Sequence, residues 1–272
     1  IIYKSIMAGG NAMILTFDIA NMTTLIGGFV DQKLRFTCRC ASDRTRTEDE
    51  YVLLIRDLLS MYDVNWAEVE GSILSSVVPS LRTIICRAVE RLTGKRVLVV
   101  GPGLKNGLNI RIDDPSELGG DMVINSVAAL AKYPKPIVIF DMETATTMSV
   151  IGRDGAYLGG ALIPGIRVSV DAMSASAAQL PYITLTPPEK LICSSTVSCM
   201  QSGAVYGCAA TVDGLSGGVE QELGEVPTIV LTGSYASLIA PYCRKKIHLD
   251  ENLQLDGLRL LYEKNQPKKK KK

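Results

Sequence analysis

Two aspartates, Asp18 and Asp141, stand in copies of one short motif: FDIANMTT at 17–24 and FDMETATT at 140–147, with Phe, Asp, Thr and Thr in register. A carboxylate at the end of a strand, followed by a turn of small hydroxyl residues, is suited to hold a cation and cradle phosphate. Asp18 is therefore a candidate Mg²⁺ ligand, because magnesium often takes only one or two carboxylates from a protein. An Asp that simply caps a strand-end turn is the plainer reading. Asn21, Thr23 and Thr24 would supply donors around the phosphates, although each is also an ordinary turn former. One such unit per half points to an internally duplicated phosphotransferase with nucleotide between its halves.

The elements that must position these residues follow from the hydrophobic pattern. Apolar runs, MILT and PIVI, precede the two aspartates and place each at a strand end. MILTFDIA, TTLIGGFV and KLRFTCRC form a β-meander. Residues 47–50 open a helix, GSILSSVV is a strand, and Pro79 opens a second helix that stops at Gly94. The strand VLVV then leads into the turn GPGLKNG. Residues 115–133 read as a helix, with Pro115 near its start and a Gly119-Gly120 pair of poor helix propensity. The second half repeats the plan: strands PIVIFDME, TTMSVIG and GAYLGGALIP, then helices around 166–179 and 194–223. The strand TIVLTG leads into a helix over 234–245, and an amphipathic helix over 251–265 closes the chain. A Gly-Gly pair (27–28, 159–160) follows each motif. Strands first and helices after, twice, indicate an α/β duplication.

Composition bounds the partners. The 272 residues are 47% apolar and 21% charged, with a net charge of +1. Removing Lys268–Lys272 from the 29 basic residues leaves 24 against 28 acidic ones, a body charge of −4. The body thus gives no hint of nucleic-acid binding, and the lysine block reads as a solvated or artificial extension. Seven scattered cysteines without a CxxC pair support neither a zinc site nor a disulfide framework and favour a reduced, cytoplasmic setting. The first twelve residues lack the apolar core of a secretory signal, and Met13 is a plausible start. The uncharged stretch 191–212 is rich in Ser, Thr, Gly and Cys and reads as a buried helix or sheet region, not a membrane span.

Several ordered segments carry a family likeness: GPGLKNGLNIRIDDPSELGGD (101–121), FDMETATT (140–147), GAYLGGALIPGIRVSVDAM (155–173), AQLPYITLTPP (178–188), QSGAVYG (201–207) and LQLDGLRLLYEKN (253–265). From Met13 to about Asn265 the chain resembles the type III pantothenate kinases, within the acetate-and-sugar-kinase, chaperone-ATPase and actin superfamily. The resemblance implies a duplicated actin-like (ribonuclease H-like) two-domain α/β fold, each half a mixed sheet with flanking helices. Its domains would be 13–117 and 118–266, with disordered or artificial ends at 1–12 and 267–272. It implies transfer of the ATP γ-phosphate to the primary hydroxyl of pantothenate, the first step towards coenzyme A. Magnesium and a monovalent cation, potassium or ammonium, would assist. The enzyme would be a cytoplasmic homodimer, its substrate pocket near the subunit interface, with no membrane or nucleic-acid partner.

The resemblance also implies roles. Asp121 matches the general base, its plainer reading being a carboxylate favourable to a helix N-terminus. Asp141 matches the monovalent-cation ligand, and Thr144, Thr146 and Thr147 the second phosphate loop. Gly233 belongs to the closing nucleotide motif. Gly101, Gly103 and Lys105 match a substrate-side turn, or else form a plain connection. Gly119 and Gly120 would leave room for substrate, and Thr196 aligns with a threonine that reaches the partner subunit's pocket. His248, the one histidine, lies outside every motif and reads as structural.

Departures fall inside four of these motifs. Ala20 and Met22 replace Gly and Thr of Asp-x-Gly-Asn-Thr; Met122 replaces the Arg of Gly-Ala-Asp-Arg; Glu143 replaces the Gly of Asp-Phe-Gly-Thr; and Ser234 replaces the last Gly of Thr-Gly-Gly. At positive φ Ala20 would cost on the order of 1–3 kcal/mol. Losing a charged hydrogen bond at Met122 would cost about 1.5–3 kcal/mol. A carboxylate at Glu143 about 4 Å from a phosphate would be repelled by roughly 4 kcal/mol at an effective dielectric near 20, unless it turns away or shares a cation. These changes define the alternatives: a catalytically weakened paralogue acting as a regulatory or binding protein, or a kinase for another small hydroxy acid.

Overall fold

The computed structural model describes residues 12–267. By contacts the described residues divide into one unit of residues 12–105 with 258–267 and another of residues 106–257. The sequence expectation set the boundary at 117/118. The observed division falls earlier because Asn109 and Ile110 pair with Ala156 and Tyr157 of the second unit. The expected ends at 1–12 and 267–272 lie, apart from Ala12 and Pro267, outside the described residues.

In the first unit β1 (Met13–Ile19), β2 (Thr23–Val30) and β3 (Lys33–Ala41) form the expected antiparallel meander. Helix α1 (Glu48–Ser60) starts at a Thr47–Glu50 capping box and leads to β4 (Val69–Ser76), parallel to β1. Helix α2 (Pro79–Thr93) and β5 (Val97–Val99) follow, giving the sheet order β3-β2-β1-β4-β5. Alternation along β1 sends Leu15, Phe17 and Ile19 into the core with Tyr51, Ile55 and Leu59 of α1 and Leu81, Ile85 and Val89 of α2. Asp18 therefore points to the opposite face.

The second unit contains β6 (Asn109–Ile110), α3 (Gly120–Lys132), β7 (Ile137–Met142), β8 (Ala145–Ile151), β9 (Ala156–Pro164), α4 (Ile166–Ser176), α5 (Thr196–Leu223), β10 (Thr228–Thr232), α6 (Ala236–Ile239), β11 (Ile247–Leu249) and the start of α7 (Leu253–Asn265). From Leu258 onward α7 belongs to the first unit, where the Arg259 guanidinium lies over the Phe29 ring. The sheet order is β11-β10-β7-β8-β9-β6. Reversed and without β6, it repeats the first unit: an antiparallel meander whose first strand also pairs with a parallel strand, β10 here and β4 there. The duplication seen in two eight-residue motifs thus extends to strand order.

Alternation along β7 makes two cores. Val138, Phe140 and Met142 pack with Ile166 of α4 and Val205, Ala209 and Val212 of α5. Ile137 and Ile139 pack with Ala128 and Ala129 of α3 and Leu253 of α7. Asp141 is the next residue on that second face.

Two expected helices are corrected. The run 115–133 is not one helix: Pro115–Glu117 is a 3₁₀ turn, Leu118 and Gly119 are extended, and α3 begins only at Gly120. The glycine pair, which disfavours helix, breaks the segment there. The helix over 234–245 shrinks to the four residues of α6 and a 3₁₀ turn over Ala240–Tyr242, because Pro241 lacks the N–H that a longer helix needs.

Candidate active site

Asp141 is the most constrained site residue in the second unit. Its side chain is buried at the end of β7. Asn125 Nδ2, from α3, donates to Oδ2 at 2.8 Å, and Gln254 Nε2, from the first turn of α7, donates to Oδ1 at 3.2 Å. Gln254 is held in turn by the Thr232 hydroxyl at the end of β10, 2.9 Å from its Oε1. Burial pushes the Asp141 carboxyl up to about 7; Glu143 and Asp121 add repulsion in the same direction, while the two amides oppose it. Such a carboxylate calls for a counter-charge. Asn125 Oδ1 beside it is buried without a hydrogen-bond partner. Carboxylate plus unengaged amide oxygen is a hard-oxygen donor set that fits a monovalent cation.

Neither amide was named as a site residue from the sequence. A signal existed for Asn125: it lies four residues after Asp121, on the same face of α3, within the largely apolar run MVINSVAAL. Gln254 carries no comparable mark, since a glutamine at a helix start is ordinary.

Gly233 is required where it stands. Its φ is +92°, and a Cβ there would lie 2.5 Å from Asp141 Oδ1 and 2.6 Å from Met142 N. Gly233→Ala is expected to lower the unfolding free energy by about 1–3 kcal/mol through backbone strain and to displace the Asp141 carboxylate. Urea denaturation checks the first effect and potassium titration of activity the second; an unchanged urea midpoint would contradict the strain.

Asp121 sits in the first turn of α3. Desolvation by burial raises its carboxyl above the usual range, against backbone N–H donation from Met122 and from Asp121 itself. A Cβ on Gly119 would lie 2.5 Å from Asp121 Oδ1. Gly119 therefore makes space for the carboxylate as well as standing outside the helix. Met122, in the place of the expected Arg, accepts a weak hydrogen bond from the Tyr157 hydroxyl at 3.6 Å.

Strand alternation splits the threonines expected to form a second phosphate loop. Thr144 lies half-buried in the β7–β8 turn. Thr147 pairs with Asp141 across the β7–β8 ladder. Thr146 is on the other face, in a cavity of about 930 Å³ lined by Phe140, Met142, Ile166, Met173 and Cys199 among others. Thr196, the first residue of α5 and within its Ser195–Ser198 capping box, lines the same cavity.

In the first unit, Asp18 is half-buried on β1, in register with Ser75 of β4. The turn after it closes through Ala20 N–H to Thr23 C=O, 3.0 Å. Ala20 is not among the residues with positive φ, so the missing glycine costs no strain there. Asn21 is exposed and accepts from Arg44 at 3.0 Å, while Thr23 is half-buried. Thr24 is buried, its hydroxyl 3.0 Å from Ser42 Oγ. Gly101, Gly103 and Lys105 form an exposed turn beyond β5. Asn265 secures it, accepting from Lys105 N–H at 3.0 Å and donating to Lys105 C=O at 2.9 Å. His248, on β11, packs its ring 5.4 Å from that of Tyr133, which suits a structural role. Among the described residues no three His, Cys, Asp or Glu side chains cluster as a metal site. No described helix is long and apolar enough to cross a membrane, α5 included.

One strand order used twice, with an aspartate near the end of each unit's first strand, defines the actin-like class of phosphotransferases and ATPases. The fold matches a conserved Campylobacter jejuni protein assigned to the Baf family of transcriptional activators (TM-score 0.56, 17% identity, 92% of this chain and 98% of that one). It also matches MreB 5 of Spiroplasma citri bound to AMPPNP (TM-score 0.52, 10% identity, 93% and 96%). At these identities the likeness is one of fold. The type III pantothenate kinase family model matches residues 14–217. The type III pantothenate kinase of Moorella thermoacetica is 40% identical over 253 residues, covering 93% of this chain and 100% of that protein. The chain belongs to the type III pantothenate kinase family.

Proposed function

We propose that the chain transfers the γ-phosphate of ATP to the primary hydroxyl of pantothenate, giving phosphopantothenate, and that Asp121 is the general base. The observation that carries the reading is the Asp121 environment: a half-buried carboxylate with a raised pKa at the start of α3, given space by Gly119 and one helical turn from the amide that holds Asp141. In-line phosphoryl transfer depends mainly on alignment and charge neutralisation, so one positioned carboxylate suffices for the proton. Asp121 takes the proton of the attacking hydroxyl. Asp18 would hold Mg²⁺ with the ATP phosphates, and Asn21, Thr23, Thr144, Thr147 and Gly233 belong to the nucleotide side. Asp141 and Asn125 Oδ1 would hold a potassium or ammonium ion. Bound cations neutralise charge on the transferring phosphoryl group.

Gly101, Gly103, Lys105, Gly119 and Gly120 are assigned to the acceptor. Thr196, at the head of α5 beside the large cavity, is assigned to the interface of a homodimer. The seven free cysteines suit a reducing, cytoplasmic setting. The test is ADP release with ATP, Mg²⁺ and potassium, with and without pantothenate. Pantothenate-dependent ADP is the expected result, and none at any reachable pantothenate concentration would sink the assignment.

A further inference from the structure

Glu143 and Ser234 both put polar side chains where glycines are expected, and the fold brings them together. Glu143 lies in the β7–β8 turn next to Thr144; Ser234 lies in the β10–α6 turn, 91 residues away in sequence. The Ser234 N–H donates to Glu143 Oε1 at 2.7 Å, and the Ser234 hydroxyl donates to the same oxygen at 2.8 Å. Flanking backbone bonds hold the turns: Tyr235 N–H to Met142 C=O and Gly165 N–H to Thr144 C=O, each 3.2 Å. With glycine at both positions neither the charge nor the hydroxyl that clasps it would exist.

Short hydrogen bonds to an ionised carboxylate are among the stronger polar contacts, so this pair restricts where the Glu143 charge can go. No lysine or arginine among the described residues forms an ion pair with Glu143. Its charge is met by the serine's dipoles, and it is felt at Asp141.

We propose that Ser234 is a positioning residue for the nucleotide: by holding the Glu143 carboxylate against the β10–α6 turn, it keeps that charge away from the phosphates beside Thr144. The proposal rests on the kinase reading above. Released from Ser234, the carboxylate would sweep the space next to Thr144 and repel a polyanion. The two side chains are thus mutually dependent. Glu143 is tolerated because Ser234 is present.

The test is MgATP affinity by calorimetry, with the KM for ATP, in wild type, Ser234→Gly, Glu143→Gly/Ser234→Gly and Glu143→Gln/Ser234→Gly. Ser234→Gly is expected to weaken MgATP about tenfold, an order of magnitude set by charge repulsion at moderate dielectric. Its kcat and its KM for pantothenate should change less than about twofold. Both double variants should recover wild-type affinity within about twofold, because removing the charge removes the need for its clasp. Ser234→Ala, which like the glycine variant keeps the backbone N–H and loses only the hydroxyl bond, should show the same pattern and serves if the glycine variant does not fold. Wild-type affinity in Ser234→Gly would overturn the proposal. So would a Glu143→Gln/Ser234→Gly protein as weak as Ser234→Gly alone, since the serine would then act through turn rigidity. A wild-type chain that binds MgATP without phosphorylating pantothenate would sink the acceptor assignment and leave this comparison intact. One that binds no MgATP would overturn both.

Discussion

Asp121→Asn is expected to cut pantothenate-dependent turnover by about 10²–10⁴-fold, the usual contribution of a positioned general base. ATP binding should stay within a few-fold of wild type. The amide is nearly isosteric and fits the space left by Gly119, so α3 should still begin at Gly120. What it loses is the ability to accept a proton. Burial raises the wild-type carboxyl, so wild-type turnover should fall as pH drops through that raised value. The residual activity of the variant should lack this acidic limb. The sign for stability runs with it: a raised carboxyl favours the fold when protonated, and that contribution is lost as pH rises, so the neutral amide should not destabilise the protein at neutral pH. Rate profiles against pH, with calorimetric ATP binding, check the set. A variant that keeps most of its turnover would remove Asp121 from the role of base.

Asp141→Asn should erase a pH-dependent stability effect and a potassium effect together. The wild-type carboxyl is pushed from 3.8 up to about 7, chiefly by burial. Without a cation, the fold therefore binds this proton more tightly than the unfolded chain does. The contribution is fully present below about pH 4 and disappears as pH rises through about 7, a change of about 4 kcal/mol at most for three pKa units. A cation binds the ionised form, so potassium should stabilise wild type more at pH 8 than at pH 5. In the asparagine variant the pH slope assigned to this group and the potassium stabilisation should both vanish, and the potassium-free protein should be more stable than wild type at pH 8. Denaturant midpoints at the two pH values, with potassium or a large organic cation, decide it. Equal potassium stabilisation of both proteins would place the ion elsewhere.

The fold was legible because its signals are local. Apolar runs before Asp18 and Asp141, Pro79 and Gly94 at the ends of α2, and the repeated motif each act over a few residues. Where local signals compete, the prediction failed. Gly119-Gly120 breaks the segment that Pro115 seemed to start, and Pro241 shortens the helix expected after β10. The grouping of Thr144, Thr146 and Thr147 was blurred for a related reason. Period-two alternation sends Thr146 and Thr147 to opposite faces, and only the placement of the helices says which face meets Asp141.

The partners of the site residues were not legible. Asn125 lies 16 residues from Asp141, Gln254 lies 113 away, and Ser234 lies 91 from Glu143. Local sequence signals establish the duplicated α/β plan, the aspartate at each strand end, the family resemblance, and the departures within four of its motifs. The tertiary structure alone decided what those departures mean. Ala20 is free of positive-φ strain, and Met122 meets the Tyr157 hydroxyl. Glu143, which read as a charge set against phosphate, is bound by the other foreign side chain, Ser234. The physical reason is that backbone periodicity is written in neighbouring residues, whereas the environment of a carboxylate is set by whichever distant elements the fold packs against it.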